Sequence, residues 1–197
     1  MQNKFLISIL GLAVLANVLL NLRLGLQVAR LEKQLAPVIN KQAAEDRQKA
    51  NRQKFTQRME LDQKKYSRDQ LGEAERLYQI ANQKWGTPEA LQSLKTMIEK
   101  YPDIDRTGCA VLYVAQMSAG DDRAKYLQDC MDKYADCFYG DGVQVGAFAC
   151  YLMAQDFKAS GNTEKARALF AELKLKYPDA IDHGGNSLVE SIGAATD

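Results

Sequence analysis

The 197-residue sequence predicts an all-α protein in three parts: an apolar N-terminal helix, a polar helical stalk, and a stack of about three helix hairpins closed by a short helix. Three observations predict it. An apolar run occupies residues 5–22. A polar stretch without Gly or Pro follows at 41–65. Beyond residue 67, apolar stripes at helical spacing are broken at near-regular intervals by a Gly-containing turn and a Tyr.

The formal net charge of +1 conceals an asymmetry. Residues 1–40 carry +3 and residues 41–66 carry +4, whereas residues 67–197, with 14 basic and 20 acidic side chains, carry −6. A basic front on an acidic back points to an anionic surface near the N-terminal end.

The anchor, residues 1–28, is built on FLISILGLAVLANVLLNL, which is apolar apart from Ser8, Asn17 and Asn21. A helix of this length spans roughly 27 Å, close to the hydrocarbon thickness of a bilayer. Arg23 can snorkel and let the span run on to Val28. No AxA-like cleavage site follows the run, which favours an uncleaved transmembrane helix over a signal peptide. Ala13, Asn17, Asn21, Gly25 and Ala29 recur every four residues, a spacing that permits close helix approach and interhelical hydrogen bonds. Ala13, Asn17 and Asn21 are therefore candidate contacts within the membrane, the alternative being that the two Asn simply sit near an interface. Topology is balanced between two rules. Basic residues after the span favour a cytoplasmic domain, while a short basic leader before an apolar segment is the layout of a signal anchor that exports the chain beyond it. The expectation adopted is export.

The stalk, residues 29–66, begins on a seam of Leu24, Val28, Leu31, Leu35 and Val38, which alternates steps of four and three as a heptad does. It continues only as Gln42, Glu45, Lys49 and Arg52. A homo-oligomer through anchor and stalk is the corresponding expectation. Pro37 either kinks this helix or opens a new one. Residues 41–65 are polar nearly all round, as a solvated spacer or a helix drawn to anionic headgroups would be.

Residues 67–197 carry the repeats. The first, LGEAERLYQIANQKWGTPEALQSLKTMIEKYPD, holds Gly86, Ala90, Tyr101 and Pro102. In GCAVLYVAQMSAGDDRAKYLQDCMDKYAD the matching residues are Gly120, Ala124 and Tyr134. In FACYLMAQDFKASGNTEKARALFAELKLKYPD they are Gly161, Ala166, Tyr177 and Pro178. Gly permits the left-handed turn between helices, the small Ala lets them approach, and Pro refuses to continue the second helix. After the third repeat, Leu188, Val189 and Ile192 mark a short amphipathic helix.

These residues resemble the tetratricopeptide (TPR) repeat family over about residues 69–178. GNTEKARALF matches its pattern best, and the 34-residue step from Gly86 to Gly120 is its period. The step to Gly161 is 41, the first repeat has one residue fewer between Gly86 and Ala90, and no Pro follows Tyr134. The resemblance implies a TPR-like α-solenoid with a capping helix. The whole layout is similar to membrane-anchored bacterial TPR proteins, which generally act as scaffolds or assembly factors. Taken with the export reading, it gives an inner-membrane protein with a periplasmic domain and one or more protein partners; the alternative, from the Asn-bearing helix face, is a single-pass accessory subunit of a larger membrane complex.

The extra length of the second repeat lies in DCFYGDGVQV. Phe138 and Tyr139 there are candidate partner contacts, the alternative being an irregular connection whose aromatics pack beneath it. Cys109 and Cys130 flank Gly120 at nearly equal distances. A disulfide between them is one reading and two buried thiols the other. One His and scattered carboxylates make a poor metal site, no cysteine pair has the CxxC spacing, and no GxxxxGK[ST], GxSxG or HExxH motif occurs. No catalytic, cofactor-binding or metal residue is expected, and no enzymatic role. The basic stalk has only Phe55 and Tyr66 as aromatics, which argues against nucleic acid.

Overall fold

The structure, a computed structural model, describes the backbone of residues 2–193 and the side chains of residues 21–192. The described chain is all-helical: α1 (Gln2–Lys65), α2 (Arg68–Gln83), α3 (Pro88–Lys100), α4 (Asp105–Met117), α5 (Gly120–Lys133), α6 (Val145–Ala159), α7 (Thr163–Lys176) and α8 (Leu188–Gly193). Its contacts fall into two compact units, residues 1–43 and 44–197. Among the described residues no helix is long and apolar enough to cross a membrane. Most of the apolar run at 5–22, with Ala13 and Asn17, has its side chains outside the described residues.

In the first unit, α1 passes through Pro37 without a break. Leu24, Val28, Leu31, Leu35 and Val38, the seam residues, are 49–64% exposed.

The second unit takes in the last third of α1, which reads from sequence as stalk. The reason is a stripe of polar residues. Arg47 and Gln48 are half-buried, Asn51 is buried, Phe55 and Arg58 are half-buried, and Asp62 is buried. Steps of three and four put them on one helix face. That face meets the loops between and after the hairpins and the first turns of α4 and α8. Asp62 accepts from the Asp105 amide at 2.8 Å, Arg58 reaches Asp105, Lys54 lies over the Phe138 ring, the Asn51 amide donates to the Asp179 carbonyl at 3.2 Å, and Arg47 pairs with Glu190 at 3.2 Å.

The remaining helices form hairpins α2–α3, α4–α5 and α6–α7, each packed mainly on its neighbours in the chain. α2 also touches α4, and α4 touches α6, with no comparable packing among α3, α5 and α7. The first helices of the hairpins therefore line up in one row. Capping sets several of the boundaries. Ser67 and Gln70 form a reciprocal capping box at α2, Thr87 caps α3 ahead of Pro88 at N1, and Asn162 caps α7. The core joins Leu94, Met97, Leu112 and Leu127 of the first two hairpins to Val145 at the start of the third, with a second cluster of Ala166, Phe170, Leu173 and Ile192 at the end.

The repeat register shifts in the second hairpin. Ala90 and Ala166 are buried at their helix–helix contacts, but Ala124 is exposed. Arg123 takes the equivalent place, four residues before buried Leu127 as Ala90 precedes Leu94 and Ala166 precedes Phe170. Its guanidinium is used rather than its bulk. It makes two bonds to Asp156, at 2.6 and 3.2 Å, and one to the Ala115 carbonyl at 3.3 Å, tying α5 to α6 and to the end of α4.

The long connection after Tyr134 is not a single insertion. The same turn follows Tyr177. Tyr139 and Val145 amides donate to Val143 and Cys137 carbonyls, while Asp182 and Leu188 amides donate to Asn186 and Ala180 carbonyls, each at 2.8–2.9 Å. Each turn carries one isolated bridge, Phe138 with Gln144 and Ile181 with Ser187. Each also needs a positive φ, +97° at Gly142 and +81° at Gly185. At Gly142 there is a second demand. A Cβ would lie 3.1 Å from Asn51 Cβ and 3.2 Å from the Gln48 carbonyl oxygen, so a side chain there would have to push α1 back by a few tenths of an ångström.

Candidate functional site

The hairpin row carries a chain of aromatic contacts. Tyr78 of α2 stacks on Tyr113 of α4 with ring centres 5.0 Å apart. Trp85, after α2, meets the same Tyr113 edge-on at 5.0 Å. Tyr113 leads to Tyr139 at 5.9 Å, Tyr139 to His183 at 4.9 Å, and His183 to Phe148 of α6 at 5.3 Å. Phe148 and Tyr151 continue it along α6. Most of these rings are partly or fully buried, but Trp85 is 48% exposed. It opens a cavity of about 420 Å³ lined by Trp85, Gly86, Thr87, Pro88, Leu91, Gln116 and Met117. No charged side chain lines this cavity, which suits an apolar or aromatic group.

His183 is fixed from both sides. Its Nδ1 lies 2.8 Å from an Asp141 carboxylate oxygen, so one repeated turn is bonded to the other. The hydrogen bond raises the His183 pKa, and burial opposes it in part. Asp141 is held below the usual carboxylate range; its own burial pulls upward, and His183 and the Val143 amide outweigh it.

A polar cluster sits where α1 meets α4. Asp105 is fully buried. One carboxylate oxygen accepts from the Phe138 amide at 2.9 Å and lies 3.7 Å from Arg58 Nε, an ion pair too long for a hydrogen bond. The other oxygen has no hydrogen-bond partner among the described residues, and neither does Arg58 Nε. Burial pushes the Asp105 pKa up to about 7, and the Phe138 amide and Arg58 offset only part of that. This buried carboxylate gives no sequence signal. It looks like an ordinary first-turn Asp.

At two sequence candidates the structure shows the second of the two readings. Phe138 and Tyr139 are 3% and 5% exposed. The bridged turn folds them inward, and the Tyr139 hydroxyl donates to the Cys109 carbonyl at 3.3 Å, so neither offers a surface to a partner. Cys109 and Cys130 are free thiols, as are Cys137 and Cys150, and all four are buried. They pack as small apolar groups, and the Cys109 thiol points at the Phe138 carbonyl, 3.6 Å away, rather than at another sulfur. Desolvation pushes the Cys137 and Cys150 thiols up to about 12 and Cys109 and Cys130 up as well, which suppresses the reactive thiolate. Asn21 is exposed on α1.

Among the described residues no group of three or more His, Cys, Asp or Glu is placed to hold a metal ion. The aromatic row escapes a reading of sequence because its members come from different hairpins. Its one sequence signal is a Tyr in the first helix of each hairpin, at 78, 113 and 151. Comparison with protein-family models, with curated proteins and with solved structures finds no match.

Proposed function

We propose that this chain is a membrane-anchored, TPR-like interaction scaffold or assembly factor. In this reading, residues 5–22 cross a bacterial inner membrane, the hairpins are TPR-like, and residues 67–197 stand on the periplasmic side. The observation that carries the binding role is the Trp85 cavity. A large aromatic left half in solvent at the end of an aromatic row, beside a cavity with no charged side chain in its lining, is the kind of anchor point that protein interfaces use. The anchor rests on the apolar run, and the topology on the short basic leader before it. Four high-pKa buried thiols and the absence of a nucleophile–base pair in the sequence favour binding over chemistry.

The test is crosslinking in native membranes followed by purification of the full chain. A defined protein partner captured by wild type and lost on Trp85→Ala supports the scaffold reading. Recovery of the free chain alone, or capture indifferent to Trp85, would sink it.

A further inference from the structure

The exposed seam of α1 has a pattern that specifies its occupant. With Leu24, Leu31 and Val38 at d and Val28 and Leu35 at a, the preceding a position is Asn21. The flanking e and g places hold Gly25, Gln27, Glu32, Gln34 and Ile39, so no like charges face each other across a pair. Arg23, Arg30 and Lys33 all fall at c or f, facing away. Pro37 is also at c, where its missing hydrogen bond lies on the outer side of the helix. The structure leaves all five aliphatic seam residues half in solvent or more. A helix that clears charge from one narrow stripe and loads it with Leu and Val is built to meet another such stripe.

We propose that residues 21–38 pair, parallel and in register, with the same residues of a second copy of this chain, Asn21 facing Asn21. Two features select this occupant and orientation. An Asn at a single a position is satisfied by the same Asn of an in-register partner, and it penalises shifted or larger assemblies that would bury it alone. The seam is also polarised. It leads back into the apolar run at 5–22 and forward into Gln42, Glu45, Lys49 and Arg52. A parallel pair lays apolar on apolar throughout, whereas an antiparallel one would set residues 5–22 against the charged stretch. The pairing stands on the α1 pattern alone and holds whether or not the chain crosses a membrane.

Single cysteines introduced into the full chain in detergent micelles test it, since the four native thiols are buried. On mild oxidation, Asn21→Cys and Leu31→Cys are expected to give a disulfide-linked dimer, and Arg23→Cys and Arg30→Cys to stay monomeric under denaturing, nonreducing conditions. The uncrosslinked wild type is expected to sediment with a protein mass twice that of one chain. A monomeric or trimeric mass would overturn the proposal. So would crosslinking equal at seam and outward positions, or crosslinking at 31 but not at 21, which is the antiparallel result.

Discussion

At the scale of single residues, two titrating groups both favour low pH, for different physical reasons. His183 is the one histidine in the chain, so its ring protons give a resolved NMR titration. Its pKa is raised, first by the hydrogen bond to Asp141. A raised pKa means that the pair adds stability below the ordinary histidine range and that this is lost as pH climbs through the folded value. The side chain is 44% exposed, so solvent keeps the gain small. The expected titration midpoint lies above about 6.5 and returns to it in Asp141→Asn; a wild-type midpoint at or below that value would remove the bond. Asp105 is the costlier group. Its folded pKa is also raised, to about 7, but here because burial disfavours the charged form. Stability from this site is complete below about pH 4 and declines as pH rises to about 7, by about 1.4 kcal/mol for each pH unit crossed in that window. Asp105→Asn keeps an acceptor for the Phe138 amide and removes the charge. Its urea-unfolding stability is expected to vary less between pH 5 and 8 than that of wild type. Parallel pH curves for the two proteins would show that Asp105 titrates normally.

At the scale of elements, the last third of α1 and the two bridged turns depend on each other. Gly142 meets α1 with a positive φ and with Asn51 and Gln48 pressed against its missing Cβ, whereas Gly161 has a positive φ and open space. Gly161→Ala is expected to cost about 1–2 kcal/mol, the price of left-handed backbone for an L-residue. Gly142→Ala should cost clearly more, because the clash falls on α1 backbone. Equal losses in denaturant unfolding would mean that α1 does not press on the turn. Asn51→Ala should cost about 1–2 kcal/mol by leaving the Asp179 carbonyl without its donor. The same contact explains how much of the fold is legible in the sequence. Helices α2 to α7 are legible because their apolar stripes agree with the Gly turns and, at α2, α3 and α7, with capping residues. The docked part of α1 is not, because its inward face is Arg47, Gln48, Asn51, Arg58 and Asp62, and polar residues that bond to loops look like polar residues that face water. The second copy of the bridged turn is hidden for a related reason. Besides its backbone bonds it shares with the first only a Tyr, an Asp and a Gly, so YADCFYGDGVQV and YPDAIDHGGNSL match poorly as strings.

At the scale of the second unit, residues 44–197, helices that touch chiefly their neighbours would by themselves unfold piece by piece, as stacked repeats do when cooperativity fails. Here α1 runs across both loops between the hairpins and the turn after the last one. Asp62 and Arg58 reach the loop before α4 and its first residue, Lys54 and Arg58 the turn before α6, and Asn51 and Arg47 the turn and helix after α7. A strap bonded to every junction makes the loss of any one hairpin costly to the others. The lone Trp85 reports the first hairpin, and far-ultraviolet circular dichroism reports helix everywhere. In wild type the two signals are expected to fall together in urea. In Asn51→Ala/Asp62→Ala, which loosens the strap at its far and near ends without touching a hairpin core, the Trp85 transition should separate from the dichroism transition and the overall curve should broaden. Coincident transitions in that variant would mean that the hairpin stack is cooperative by itself and that α1 is an added helix rather than a coupling one.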